Sequence, residues 1–209
     1  MGVSMKQKEI CDKIHYMKKA NRKSQQYQQT HRMIYICFSK LLEEENYEKI
    51  TIRQICDACG ISIGSFYNHF SGKSDILNEG YLLFDESVQK ELENRRVEES
   101  AKERVLHLFE LELSLIEKSG VAMTSSLFIQ QMSFADPNIL HEDRYFYQEL
   151  LRSLKDYIAE KGSGADPIKS LSELLRVSRG TIYDWCLHKG NYSLAEETLP
   201  VIRRLLECL

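Results

Sequence analysis

Three groups of residues have side chains whose type and spacing could do chemistry. In the run 62–69, Ser62, Ile63, Ser65, Tyr67, Asn68 and His69 form a hydroxyl, amide and aromatic set with no carboxylate among them. Such groups can donate to phosphate oxygens, and an asparagine can read an adenine edge. Cys56 and Cys59 have the spacing of half a zinc site or of a dithiol. Cys186 and His188 place a thiol near a base. The two thiol readings fail on their surroundings. A zinc site needs a second ligand pair, and none has suitable local spacing. Residues two apart on a helix point in different directions, so His188 cannot serve Cys186. The cysteines are therefore read as small core residues with free thiols, and no metal or cofactor is expected. The polar run remains, and its chemistry is the binding of nucleic acid.

That run needs elements to hold it out. Thr51 can N-cap a short helix in which Ile52, Ile55, Cys56 and Cys59 share one buried face. Gly60 then stops the helix, because a glycine there can take the left-handed conformation of a sharp turn. Ser62 can cap the next helix, which buries Phe66 and Phe70 at i, i+4 and presents its polar side outward. Helix, glycine turn and second short helix are the parts of a helix-turn-helix, whose second member enters the DNA major groove.

Tyr47, Thr51, Arg53, Gly60, Ser62, Gly64, Phe66, Tyr67, His69 and Phe70, followed by Lys73 and Leu77, form a pattern that resembles the DNA-binding signature of the tetracycline-repressor (TetR) family. The resemblance covers about residues 30–83. It implies phosphate contacts from Thr51, Tyr67 and Lys73, and base or backbone contacts from Arg53, Ser62, Ser65, Asn68 and His69. The sequence departs from the family pattern in two ways. Ile63 stands where the family is commonly basic or polar, which leaves an apolar contact, such as one to a thymine methyl, or one missing phosphate contact. The chain also begins with a long basic stretch.

Composition agrees with this reading. The net charge is only −3, yet Lys6, Lys8, Lys13, Lys18, Lys19, Arg22, Lys23 and Arg32 face only Glu9 and Asp12 within residues 1–32. One end could meet phosphate while the acidic remainder repels it. Residues 1–25 are read as a mobile basic arm able to reach an adjacent minor groove. No apolar run approaches the roughly 20 residues needed to cross a bilayer, so no membrane partner and a cytoplasmic location are expected.

Helical periodicity runs through almost the whole chain, and the fold class expected is all-α. The organisation expected is an arm over 1–25, a three-helix helix-turn-helix domain over 26–80, a linking helix over 73–95, and a larger helical domain over 81–209 for dimerisation and regulation. Within the last, helices are expected over about 101–118, 122–134, 138–161, 167–189 and 193–209. The run 171–185 echoes the helix-turn-helix, but Arg176 replaces the turn glycine and Leu171, Leu174, Leu175, Ser178, Ile182 and Trp185 keep one phase. A continuous helix is expected there. The TetR resemblance makes it part of a homodimer interface, a four-helix bundle in which Gly180 permits close packing and Trp185 is an anchor. Tyr145, Phe146 and Tyr147, with Phe128, Met132 and Phe134, are either plain core or the lining of an effector pocket; the ligand-binding residues stay open.

The function expected is that of a sequence-specific transcriptional regulator, most often a repressor in this family. It would bind palindromic double-stranded operator DNA as a homodimer and answer to a small-molecule or protein effector. The alternative is a helical protein-interaction module with little DNA affinity. An enzyme is not expected, for no convergent acid, base or nucleophile set is present.

Overall fold

The computed structural model describes residues 5–94, 99–134 and 137–209, and among them every regular element is helical. The order is α1 (Met5–Glu44), α2 (Ile52–Cys59), α3 (Ile63–Tyr67), α4 (Lys73–Asn94), α5 (Ala101–Ser133), a 3-10 turn (Asn138–Leu140), α6 (Tyr145–Lys161), α7 (Pro167–Leu187) and α8 (Leu194–Cys208). The chain divides into two compact units, Met1–Ile76 and Leu77–Leu209. The fold is all-α, as the periodicity requires.

In the first unit, Ile34, Phe38 and Leu42 project from one face of α1 and are buried together with Ile50, Ile55, Cys56, Phe66, Phe70 and Ile76. Burying each of the large side chains stabilises the unit by about 2 kcal/mol against its exposed state. From residue 5 the basic stretch is helical, since α1 runs unbroken from Met5 through Glu44. Residues 5–44 contain neither glycine nor proline and are rich in Lys, Gln, Arg and Met, so propensity favours continuing the helix toward the N-terminus. Residues 1–4 of the expected arm lie outside the described residues.

In the second unit, Val88, Leu106, Phe109, Leu150, Leu154, Leu171, Leu174, Ile202 and Leu206 form the main core. A satellite core gathers Leu113, Ile182, Trp185 and Leu194. The two helices expected on either side of residue 120 are joined end to end in α5, with a kink at Gly120 (φ 79°, ψ 163°). The single helix expected over 138–161 is instead a 3-10 turn followed by α6, which starts only at Tyr145. The reason lies on α4. Asp85 takes both guanidinium bonds of Arg144 at 2.9 and 3.0 Å and also accepts from the Phe146 backbone N–H at 3.3 Å, so a residue distant in sequence sets the start of α6. The run 171–185 lies inside α7, one helix with no turn at Arg176. Residue 95 of the expected linking helix lies outside the described residues.

Candidate nucleic-acid interface

The turn between α2 and α3 is built from local capping. Thr51 accepts from the Gln54 backbone N–H at 3.2 Å, and Gln54 accepts in return from the Thr51 N–H at 2.7 Å, a reciprocal capping box. Two orphan donors are satisfied, which lets a helix of eight residues start cleanly. At its other end Gly60 adopts φ 67°, ψ 34°, and the Ile61 N–H reaches back to the Cys56 carbonyl at 3.0 Å. A Cβ built on Gly60 would meet nothing within 4 Å, so the glycine is required by the left-handed backbone and not by crowding. Ser62 then caps α3 by accepting from the Ser65 N–H at 3.1 Å.

The consequence is a short helix held edge-out. Phe66 and Phe70 are buried beneath it, whereas Ser62, Ile63, Gly64, Tyr67 and Asn68 are exposed and Ser65 is half-buried. Thr51 and Arg53 are exposed at the start of α2. This face carries hydroxyls, one amide, the Tyr67 phenol and the apolar Ile63, with no carboxylate.

His69 and Lys73 sit differently from the rest of the predicted set. The His69 ring is half-buried, packed 4.3 Å from the Tyr27 ring and 5.8 Å from that of His31, both on α1. Burial and then the neighbouring His31 push its pKa down, which favours the neutral ring. Lys73 donates to the Tyr47 carbonyl at 2.7 Å and to that of Glu48 at 3.4 Å, with its ammonium 4.5 Å over the Tyr47 ring. Burial lowers its pKa, opposed by Glu48. Its charge is thus tied to the loop that follows α1. Tyr47 and Tyr27 are the residues whose roles the sequence concealed, because both act through partners more than twenty positions away.

Charge is distributed unexpectedly. Within residues 26–76 Arg32, Lys40, Lys49, Arg53 and Lys73 are outweighed by Glu43, Glu44, Glu45, Glu48, Asp57 and Asp75. The cationic excess of the first unit lies between Lys6 and Lys23, in the first half of α1.

The thiols of Cys56 and Cys59 face the core of the first unit. Cys56 is buried, and the Cys59 thiol points at the Met33 carbonyl 4.0 Å away. Burial first, and then the Cys37 thiol beside it, push Cys59 up to about 12. Among the described residues no group of three or more His, Cys, Asp or Glu is placed to hold a metal. Burial pushes the Cys186 thiol up to about 11, while His188 turns to Asp184, its Nδ1 lying 3.2 Å from the carboxylate.

In the second unit, Trp185 is buried in its own satellite core and donates from Nε1 to the Tyr192 carbonyl at 3.0 Å. The indole N–H is thus satisfied within the chain. Gly180 is exposed on α7, with empty space around an added Cβ. Of the aromatic stripe, Phe146 is core, edge-on to Phe84 at 5.2 Å, and Phe128 packs against the satellite core. Met132 is exposed. Tyr145 lines a cavity of about 320 Å³ together with His107, Leu108, Arg104, Glu149 and Ser153.

Comparison with known proteins agrees with this geometry. Residues 39–79 match the family described as bacterial regulatory proteins, tetR family. The matched segment, which ends before most of the second unit, holds α2, the Gly60 turn and α3. Solved structures share its fold at low identity. FadR from Bacillus subtilis, a transcriptional regulator in complex with stearoyl-CoA, is 17% identical over 85% of this chain and 98% of its own, with a TM-score of 0.55. Salmonella enterica GusR is 18% identical over 86% of this chain and 96% of its own, with a TM-score of 0.58. Thermus thermophilus FadR, a TetR-family transcriptional repressor in complex with lauroyl-CoA, is 20% identical over 85% and 93%, with a TM-score of 0.56. No curated protein matches the chain. Among the described residues no helix is long and apolar enough to cross a membrane.

Proposed function

We propose that this protein is a TetR-family regulator, a cytoplasmic repressor that binds a palindromic operator as a homodimer and is released by an effector acting on residues 81–209. The observation that carries the reading is the exposed face of α3, held out by the left-handed Gly60 and the Ser62 cap. In the major groove, Thr51, Ser62, Ser65 and Tyr67 donate to phosphates, Asn68 reads an adenine edge, Ile63 meets a thymine methyl, and Arg53 takes a base or phosphate at the margin. His69 and Lys73 hold the head in shape, with the Lys73 cation at its base. The helical basic stretch of α1 supplies the counterion-releasing charge that residues 26–76 lack.

Dimerisation is assigned to α7 and α8. Lys169, Glu173, Arg176, Gly180, Tyr183 and Leu187 recur at helical spacing and are all exposed, a face left uncovered by the chain's own packing. Gly180 gives close approach, and the exposed Tyr183 and Leu187 supply the anchoring contacts, with the buried Trp185 behind them. An effector controls DNA binding by favouring one arrangement of the two heads over the other. A salt titration of binding to random and operator duplexes tests the reading. A regulator shows steep weakening with ionic strength together with a large preference for operator, whereas an interaction module shows neither.

A further inference from the structure

A helix of five residues cannot fix its own orientation, and α3 is such a helix. Its N-terminal end is fixed by the Gly60 turn and the Ser62 cap, and its underside by Phe66 and Phe70. Its C-terminal end is held from another part of the chain. One turn of α1, carrying Tyr27 and His31 at i, i+4, lies against residues 68–70. The Tyr27 hydroxyl donates to the Asn68 carbonyl at 3.3 Å, its ring packs on His69 at 4.3 Å, and His31 stacks on Phe70 at 4.1 Å with an 18° tilt. Asn68 is the C-cap residue of α3, so the hydrogen bond seizes the backbone at the point where the helix ends.

We infer that Tyr27 is a positioning residue for sequence reading: through the Asn68 carbonyl and the His69 ring it sets the angle at which α3 meets base pairs. Tyr27 is half exposed; besides stacking on His31 of its own helix at 5.9 Å, it touches the segment that follows α3. A residue that only orients α3 acts on base readout, which needs side chains placed within hydrogen-bond tolerance. It leaves the tolerant, charge-driven phosphate term alone. The inference rests on the proposed insertion of α3 into the major groove.

The test uses the full chain as wild type, Tyr27→Ala and Tyr27→Phe, with binding measured against a selected operator duplex and a random duplex of equal length over a range of salt. Tyr27→Ala is expected to weaken operator binding by about tenfold or more while random-duplex affinity and the salt slope stay constant. Tyr27→Phe, which keeps the ring stack and loses the hydrogen bond, falls between the two. Operator affinity equal to wild type in both variants overturns the inference. So does parallel weakening on both duplexes with a reduced salt slope, which marks a direct phosphate contact. Amide exchange over residues 66–70 in free protein gives a second readout. Faster exchange in Tyr27→Ala supports the clamp, and unchanged exchange contradicts it. A wild type without operator preference, yet with exchange accelerated in the variant, refutes the functional reading and not the clamp.

Discussion

The Ser178 hydroxyl donates a 2.6 Å hydrogen bond to the buried Glu112 carboxyl group, joining α7 to α5 inside the second unit. Burial raises Glu112 to about 7, opposed by Ser178 and by the Arg179 and Arg144 charges. The folded pKa exceeds the unfolded one, so between about pH 4.5 and pH 7 the unfolded chain releases a proton that the folded chain keeps. Stability conferred by the neutral acid is present at low pH and lost as pH rises through that window, by on the order of 3 kcal/mol. Thermal melts of Glu112→Gln from pH 5 to 8 should show a flattened pH dependence, with the variant gaining on wild type as pH rises. A constant difference across the range contradicts the assignment.

Asp85 and Arg144 pair with both side chains mostly buried, and Asp85 also caps α6. Asp85→Ala leaves a desolvated guanidinium and an orphan N–H, so chemical denaturation should show a loss of about 3 kcal/mol. Removing both partners in Asp85→Ala, Arg144→Met should cost less than the single change, because no uncompensated charge remains. Equal costs for the single and double changes contradict this account.

Gly190 and Gly180 should respond in opposite ways to alanine. At Gly190, φ is 72° and an added Cβ would lie 2.9 Å from Val121 Cγ2 and 3.1 Å from the Trp185 ring. Gly190→Ala is expected to cost about 2 kcal/mol and to lower Tm by about 4–8 °C. Gly180→Ala meets open space within an exposed helix and should stabilise the chain by about 0.5–1 kcal/mol while weakening self-association, measured by sedimentation. Stronger or unaltered association removes Gly180 from the interface.

The salt response should reside in α1. Converting Lys13, Lys18, Lys19 and Arg22 to Gln is expected to reduce the slope of log affinity against log salt by about 2–4, since each lost phosphate contact removes about 0.9. An unchanged slope places the phosphate contacts elsewhere.

What the sequence discloses and what it hides divide by range. The Thr51 capping box, the Gly60 turn and the Ser62 cap are closed within a few residues, so their chemistry is written in local order. The continuity of α7 through Arg176 is legible for the same reason, from a single hydrophobic phase. The packing of Trp185 is not legible locally, because an apolar ring looks the same whether it meets its own chain or a partner, and its seat is set by Tyr192 and Gly190. The delayed start of α6, the Lys73 clamp on Tyr47 and the Tyr27 grip on Asn68 join residues 26 to 61 positions apart, beyond any local pattern. The early start of α1 is legible in propensity, since residues 5–44 hold neither glycine nor proline.

Insertion of α3 beside base pairs is tested most directly by selecting bound fragments from a random DNA pool with wild-type protein and with Asn68→Ala. The wild type should yield a palindromic consensus with half-sites about one helical turn apart or slightly more, and Asn68→Ala should relax the preference at one symmetric pair of positions. Unrelated fragments from the wild type, or an identical consensus from both proteins, would contradict the assigned readout.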